Sequence, residues 1–223
     1  FGFGLSQQYF HKAAILVLDH DEQFTKGIIL NRPTDLLLQD DQNKNVKWRV
    51  WFGGDVQGVN SPFREVVCLH SLDFPEAHES SFQVMKDIKW TSFQNATSLV
   101  KAGLATPSDF WVFAGYAGWG PNQLMGELDR KSWYMVAADS QTLLKELGRQ
   151  SAAADPREAG LDTWDLLMNM IGRGETAKKY SGNFDDLMLK EWARAHLLSS
   201  EAGGGAAIQS FADMRKRKKR CST

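Results

Sequence analysis

At 223 residues, 43% hydrophobic and 24% charged, the chain has the composition of an ordinary soluble globular protein with a sizeable core. No apolar run approaches the roughly 20 residues needed to cross a bilayer, which excludes a transmembrane helix. The net charge of −1 conceals an asymmetry, because without Arg215-Lys216-Arg217-Lys218-Lys219-Arg220 the chain has 20 basic residues against 27 acidic ones. An acidic body with a short basic tail is not the charge distribution of a globular nucleic-acid-binding surface.

In chain order, Ala13–Asp19 and Lys26–Leu30 are short apolar runs around a polar connector and predict a hairpin or neighbouring strands. Leu30-Asn31-Arg32-Pro33-Thr34 then reads as a turn, with Pro33 holding Arg32 extended. Arg49–Phe52, Val66–Leu69, Val84–Trp90, Phe110–Tyr116 and Ser132–Val136 are further strand candidates. Phe93–Ala102 has helical spacing, with Ser92 as its N-cap and Gly103 as its stop. Helices follow at Ser140–Leu147, Thr163–Ile171 and Phe184–Leu198, with a loop over Ser151–Gly160. Beyond Ser199 a glycine-rich stretch leads into the basic run, the pattern of a flexible tail. Strands first and helices later predict an α+β body.

The most site-like stretch is Asp109–Leu128, where an apolar strand enters a turn containing Gly115, Gly118 and Gly120. Pro121 stands where a helix would begin, and strand–turn–helix units of this kind often bring backbone N–H groups to a ligand. The turn has no Ser, Cys, Lys or His, so it matches neither a nucleophile elbow nor a P-loop. Tight packing or a small anion explains the glycines instead. His20 and His70 follow strand-like runs, and Cys68 with His70 would share a strand face, but no close-spaced metal motif is present. Arg32 serves either a ligand or an internal carboxylate. Cys68 in an apolar run and Cys221 in the basic tail do not suggest a disulfide framework, which favours a reducing compartment or an organelle interior. Phe1 in place of a methionine leads us to expect an upstream segment.

These pieces together resemble the YqgE/AlgH family. They are Asp19-His20, Gly27–Thr34, Phe52-Gly53-Gly54-Asp55-Val56, Leu69-His70-Ser71, and Gly115–Leu124 through Glu127-Leu128, with Trp133 in support. The resemblance covers roughly residues 9–172 and implies a curved, partly barrel-like mixed β-sheet flanked by helices. It brings no activity, since the family is mostly described as uncharacterised. Asp55 stands where the family commonly has Pro, and Asn122 where Gly is frequent. The usual N-terminal strand is largely missing before Leu5. Eukaryotic relatives tend to be plastid proteins, so the resemblance implies a plastid, or chloroplast, location.

The resulting expectation is a family domain over residues 1–172, a helical extension over 173–200 and a flexible basic tail over 201–223. Its function is that of a non-enzymatic binding or scaffold protein acting on protein partners, in a larger assembly or alone, with no cofactor and no metal. Arg32, Tyr116, Trp119, Asn122, Gln123 and Trp192 are the candidate binding residues. Arg215, Lys216, Arg217, Lys218, Lys219 and Arg220 are the candidates for nucleic acid or an anionic surface. One alternative is a nucleic-acid-associated transcriptional regulator using that tail. The other is a small-molecule enzyme in which His20, His70 and Arg32 converge in a cleft.

Overall fold

The computed structural model of the chain describes residues 7–39, 46–58, 61 and 64–198, and the backbone of 208–210. A short 3₁₀ turn, Gln8–Phe10, leads into β1 (Ile15–His20), β2 (Thr25–Ile29), β3 (Pro33–Gln39) and β4 (Lys47–Phe52). Then come β5 (Val66–His70), α1 (Pro75–Glu79), β6 (Phe82–Met85), β7 (Ile88–Ser92) and α2 (Phe93–Lys101). β8 (Phe110–Ala114) and β9 (Ala117–Trp119) flank the glycine turn, and α3 (Gln123–Asp129) follows it. The C-terminal part is helical, with α4 (Ser140–Ala153), α5 (Leu161–Met170), α6 (Gly174–Lys179) and α7 (Phe184–His196) before β10 (Ile208–Ser210).

The strands form two sheets, one ordered β1-β2-β9 and one ordered β10-β3-β4-β8-β5-β7-β6. The larger is mixed, because β4 runs parallel to β8 whereas β5 runs antiparallel to both β8 and β7. The Ile29 N–H to Gly53 O bond, 2.9 Å, ties β2 of the smaller sheet to the end of β4 in the larger, and the Phe52 N–H to Arg32 O bond, 2.8 Å, extends the β3–β4 ladder. The fold is therefore α+β with two joined sheets, which do not close into a barrel.

Both faces of the larger sheet are covered, which explains why its central strands are continuous apolar runs. The two-residue period sends Trp48, Val50, Cys68, Phe110 and Val112 to one face, where Phe93, Ala96 and Leu99 of α2 meet them. It sends Trp51, Val67, Leu69 and Phe113 to the other, against Leu143 and Leu147 of α4. A third cluster joins Tyr9, Ile29 and Phe52 to Leu189 and Ala193 of α7 and to Leu197 just beyond it.

Several expectations hold. β1 and β2 form the antiparallel hairpin. The Ser92 side chain accepts the Asn95 N–H at the start of α2, and Gly103 ends it at a φ of +72°. Others are corrected. Val84–Trp90 is two strands of a hairpin, β6 and β7, turning at Asp87, whose φ is +63°. The turn expected at Leu30–Thr34 ends at Arg32, and Pro33 already begins β3. Part of the loop expected over Ser151–Gly160 is the last turn of α4. Ser132–Val136, expected as a strand, forms none, and Trp133–Asp139 has no regular secondary structure.

Candidate functional site

The glycines of the signature turn serve backbone packing. A Cβ on Gly54 would lie 2.1 Å from the Tyr116 carbonyl carbon, and one on Gly115 would lie 2.3 Å from Gly54 O. The Phe52–Val56 and Gly115–Ala117 turns therefore interlock main chain against main chain, and Val56 and Tyr116 form a β-bridge. Gly115 also needs its φ of +76°.

Beyond that interlock, β9 leads to the start of α3, which lies beside the tip of the β1–β2 hairpin. An open cleft of about 630 Å³ separates them, lined by His20, Asp21, Glu22, Gln23 and Thr25 on one side. Gly120, Pro121, Asn122, Leu124 and Met125 line the other. The hairpin tip is fixed by Asp21, whose Oδ1 accepts the Gln23 and Phe24 N–H groups at 2.7 and 2.8 Å. Those two bonds, Phe24's first, hold the Asp21 carboxyl below its usual range. His20 Nδ1 lies 2.6 Å from the hydroxyl of Thr25, its cross-strand partner.

On the opposite wall, Gln123 Oε1 accepts the Gly120 N–H at 3.1 Å and Gln123 Nε2 donates to Glu127 at 3.1 Å. Glu127 also accepts the indole N–H groups of Trp119, 3.1 Å, and Trp133, 2.7 Å. Burial pushes the Glu127 carboxyl up, but the three hydrogen bonds outweigh it and leave the pKa below the ordinary glutamate value. Asn122 adopts the left-handed conformation at φ +58°, and Met125 is 52% exposed.

The chemistry of the cleft follows from these contacts. The amides of Gly120, Gln23 and Phe24 already have acceptors, α3 is seven residues long, and Asp21 and Glu22 make the rim acidic. The small-anion explanation of the turn therefore finds no donor array among these groups. Pro121, Leu124 and Met125 give one side of the cleft an apolar lining that faces the polar and acidic hairpin tip.

The other candidates are dispersed. Arg32 is fully buried, donating to the carbonyls of Tyr9, Asn31, Ala159 and His11. Burial lowers its pKa to about 9, so it stays charged at neutral pH. His70 is fully buried between Ser81 and Leu72, and Cys68 lies in the core, where burial pushes its thiol up. The convergence of His20, His70 and Arg32 in one cleft is thus corrected, because only His20 reaches it. The two tryptophans are packed into the protein. Trp119 is 3% exposed, and half-buried Trp192 lies 5.1 Å from Phe52 and 5.5 Å from Tyr9 between ring centres. Tyr116 takes the Lys26 ammonium over its ring at 4.7 Å, and burial raises its phenol pKa. Arg215, Lys216, Arg217, Lys218, Lys219 and Arg220 lie outside the described residues.

Asn122 and Gln123 are the candidates that border or brace the cleft, whereas Asp21, Glu22, Leu124 and Met125 were missed from sequence. The helical spacing of Leu124, Met125 and Leu128 points to an internal face. α3 is too short and too peripheral to bury it, and none of its residues is buried. No group of three or more His, Cys, Asp or Glu side chains placed to hold a metal occurs among the described residues. No described helix is long and apolar enough to cross a membrane.

A mixed two-sheet α+β domain with interlocked glycine turns is the class of protein these features define. The chain belongs to the AlgH-like family, whose model matches residues 3–164. It is 31% identical over 171 residues to a UPF0301 protein of Burkholderia mallei strain SAVP1, covering 73% of this chain and 83% of the relative. The same figures hold for a UPF0301 protein of Burkholderia pseudomallei strain K96243. Among solved structures, the solution structure of the AlgH protein from Pseudomonas aeruginosa is similar at 23% identity and a TM-score of 0.47. That likeness covers 63% of this chain and 77% of the other.

Proposed function

We propose that this AlgH-like protein is a non-enzymatic binding protein that docks a protein partner at the cleft between His20–Thr25 and Gly120–Met125. One observation carries the reading: the described cleft sets an apolar side with exposed Met125 against an acidic rim, while Arg32, His70 and Cys68 are enclosed elsewhere. Met125 is the natural anchor, since flexible, polarisable methionine suits a contact surface, and Asp21 and Glu22 favour a partner with basic groups.

Isolation of native complexes and mass spectrometry, with the wild-type chain and a Met125→Glu variant side by side, tests this. A partner retained by the wild type should be depleted about tenfold with the variant, the effect of losing a moderate anchor. Equal recovery would remove the cleft as the docking surface, and no stable partner for either would remove the binding role. The basic run supports a second, weaker reading as a nucleic-acid-associated regulator, which requires a salt-dependent shift with DNA or RNA that disappears on deleting Arg215–Arg220. The plastid location belongs with these proposals and rests on the resemblance to eukaryotic relatives; import of a fluorescent fusion of the native precursor would test it.

A further inference from the structure

One buried cation has fewer partners than its chemistry asks for. β5 and β7 set His70 directly opposite Lys89, so the two side chains share a face of the larger sheet. Lys89 is 5% exposed, and among the described residues its ammonium makes one hydrogen bond, to Leu72 O at 3.1 Å. An ammonium carries three donors, and a buried charge calls for a counter-charge in hydrogen-bonding contact. The carboxylate beside it falls short of that contact. Asp73 Oδ1 stands 3.9 Å from Lys89 Nζ, on a side chain that is 85% exposed.

The same oxygen has a second donor. His78 Nε2–H donates to Asp73 Oδ1 at 2.8 Å, since a carboxylate only accepts. The Leu72 peptide braces the cluster, its N–H bonding His70 Nδ1 at 3.3 Å while its carbonyl takes Lys89. His70 is engaged with Ser81 through Nε2 and stays neutral. Burial lowers its pKa, and the charges of Lys89 and His78 lower it further, which marks the local field as positive. Glu76 and Glu79 of α1 are exposed and enter no ion pair among the described residues. A buried ammonium and an exposed imidazole thus converge on one solvent-reachable position, which a side chain tethered to the loop fills at 3.9 Å from the ammonium.

We propose that Lys89 and His78 form a binding site for a phosphate group, with Asp73 as the built-in carboxylate that the ligand displaces. A phosphate oxygen at the Asp73 Oδ1 position is free of the main chain, so it closes on the ammonium to a charge-assisted hydrogen bond. Its second negative charge gives it an advantage over a single carboxylate beside two donors of this kind. Inorganic phosphate and the phosphate monoester of a small molecule share this chemistry. The site has no residue in common with the cleft between His20–Thr25 and Gly120–Met125.

NMR titration of the full chain with inorganic phosphate or glycerol phosphate, at constant ionic strength, tests the site through the amides of Ser71–His78. Saturable shifts are expected with a phosphate and not with acetate, and the tighter of the two phosphates shows whether the free anion or an ester is preferred. Asp73→Asn removes the internal competitor, so phosphate affinity should rise about tenfold, and His78→Gln should lower it by a similar factor. Lys89→Gln should abolish binding. Asp73 is exposed and its replacement leaves the core untouched, so that variant decides the matter even where Lys89→Gln does not fold. Unchanged or weaker phosphate binding in Asp73→Asn would overturn the proposal. So would the absence of saturable shifts in both wild type and Asp73→Asn, or full binding by a folded Lys89→Gln chain.

Discussion

Lys12 and Asp186 meet 174 positions apart, where the Lys12 ammonium lies 2.8 and 2.9 Å from the two Asp186 oxygens. Their side chains are 4% and 6% exposed. The ammonium also donates to Tyr180 O at 2.8 Å and lies 4.9 Å from the centre of the Trp164 ring. Asp186 further accepts the Gly182 N–H at 2.7 Å and pairs with His11 Nε2 at 2.8 Å. Burial pushes the Asp186 carboxyl up, but the bonds from Lys12 and His11 hold it below the usual range. Removing one partner strands the other charge, so Lys12→Met should cost about 3 kcal/mol in chemical denaturation. Lys12→Met/Asp186→Leu should recover part of that loss, because the stranded charge is then gone. A single-variant cost within error of zero, or fully additive variants, would refute the account.

His70 gives a prediction in pH. Its Nδ1 accepts the Leu72 N–H at 3.3 Å, which leaves Nε2–H to donate to Ser81 at 2.8 Å. Burial first, then the positive charges of Lys89 and His78, lower its pKa from 6.5 to about 4. Between those values the unfolded chain binds a proton that the folded chain refuses. The contribution of neutral His70 is therefore complete above pH 6.5 and falls as the pH drops toward 4, at about 1.4 kcal/mol per unit. Urea unfolding at pH 7.5, 6 and 5 should show this slope, and His70→Gln should flatten it. A parallel fall in the variant would assign the slope to other groups.

At the scale of elements, the sequence was most legible where local pattern and tertiary role coincide. Ser92 and Gly103 bound α2 from sequence because a cap and a left-handed stop are local requirements. The β1–β2 hairpin was visible for the same reason. β3 was hidden because Leu36, Leu37 and Leu38 are consecutive and show no alternation, while its pairing with β4 is set by a distant strand. The split of Val84–Trp90 depends on Asp87 adopting positive φ, which its sequence neighbours do not demand. The cleft was half legible: the glycine turn stood out, but its opposite wall is a hairpin tip about 100 residues away. Arg32 illustrates the limit in the other direction. A conspicuous cation looked available to a ligand, yet four backbone carbonyls enclose it.

For the whole molecule, the segment beyond the family match is part of the core. The AlgH-like match ends at residue 164, whereas Leu189, Ala193 and Leu197 are fully buried against Tyr9, Ile29 and Phe52 from the first part of the chain. The Asp35 N–H donates to Leu197 O at 3.1 Å, so the end of α7 is also tied to β3 through its backbone. A chain ending at Gly172 would expose that cluster and strand Lys12 without Asp186. The lost apolar burial alone is on the order of 5 kcal/mol, comparable to the whole stability of many domains. A chain ending at Leu198 keeps every one of these contacts. Thermal and urea unfolding should therefore find the 1–198 chain close to full length, and the 1–172 chain strongly destabilised, with a dye for exposed apolar surface binding only the shorter form. A 1–172 chain with an unchanged midpoint would mean that α7 rests on a core already complete without it.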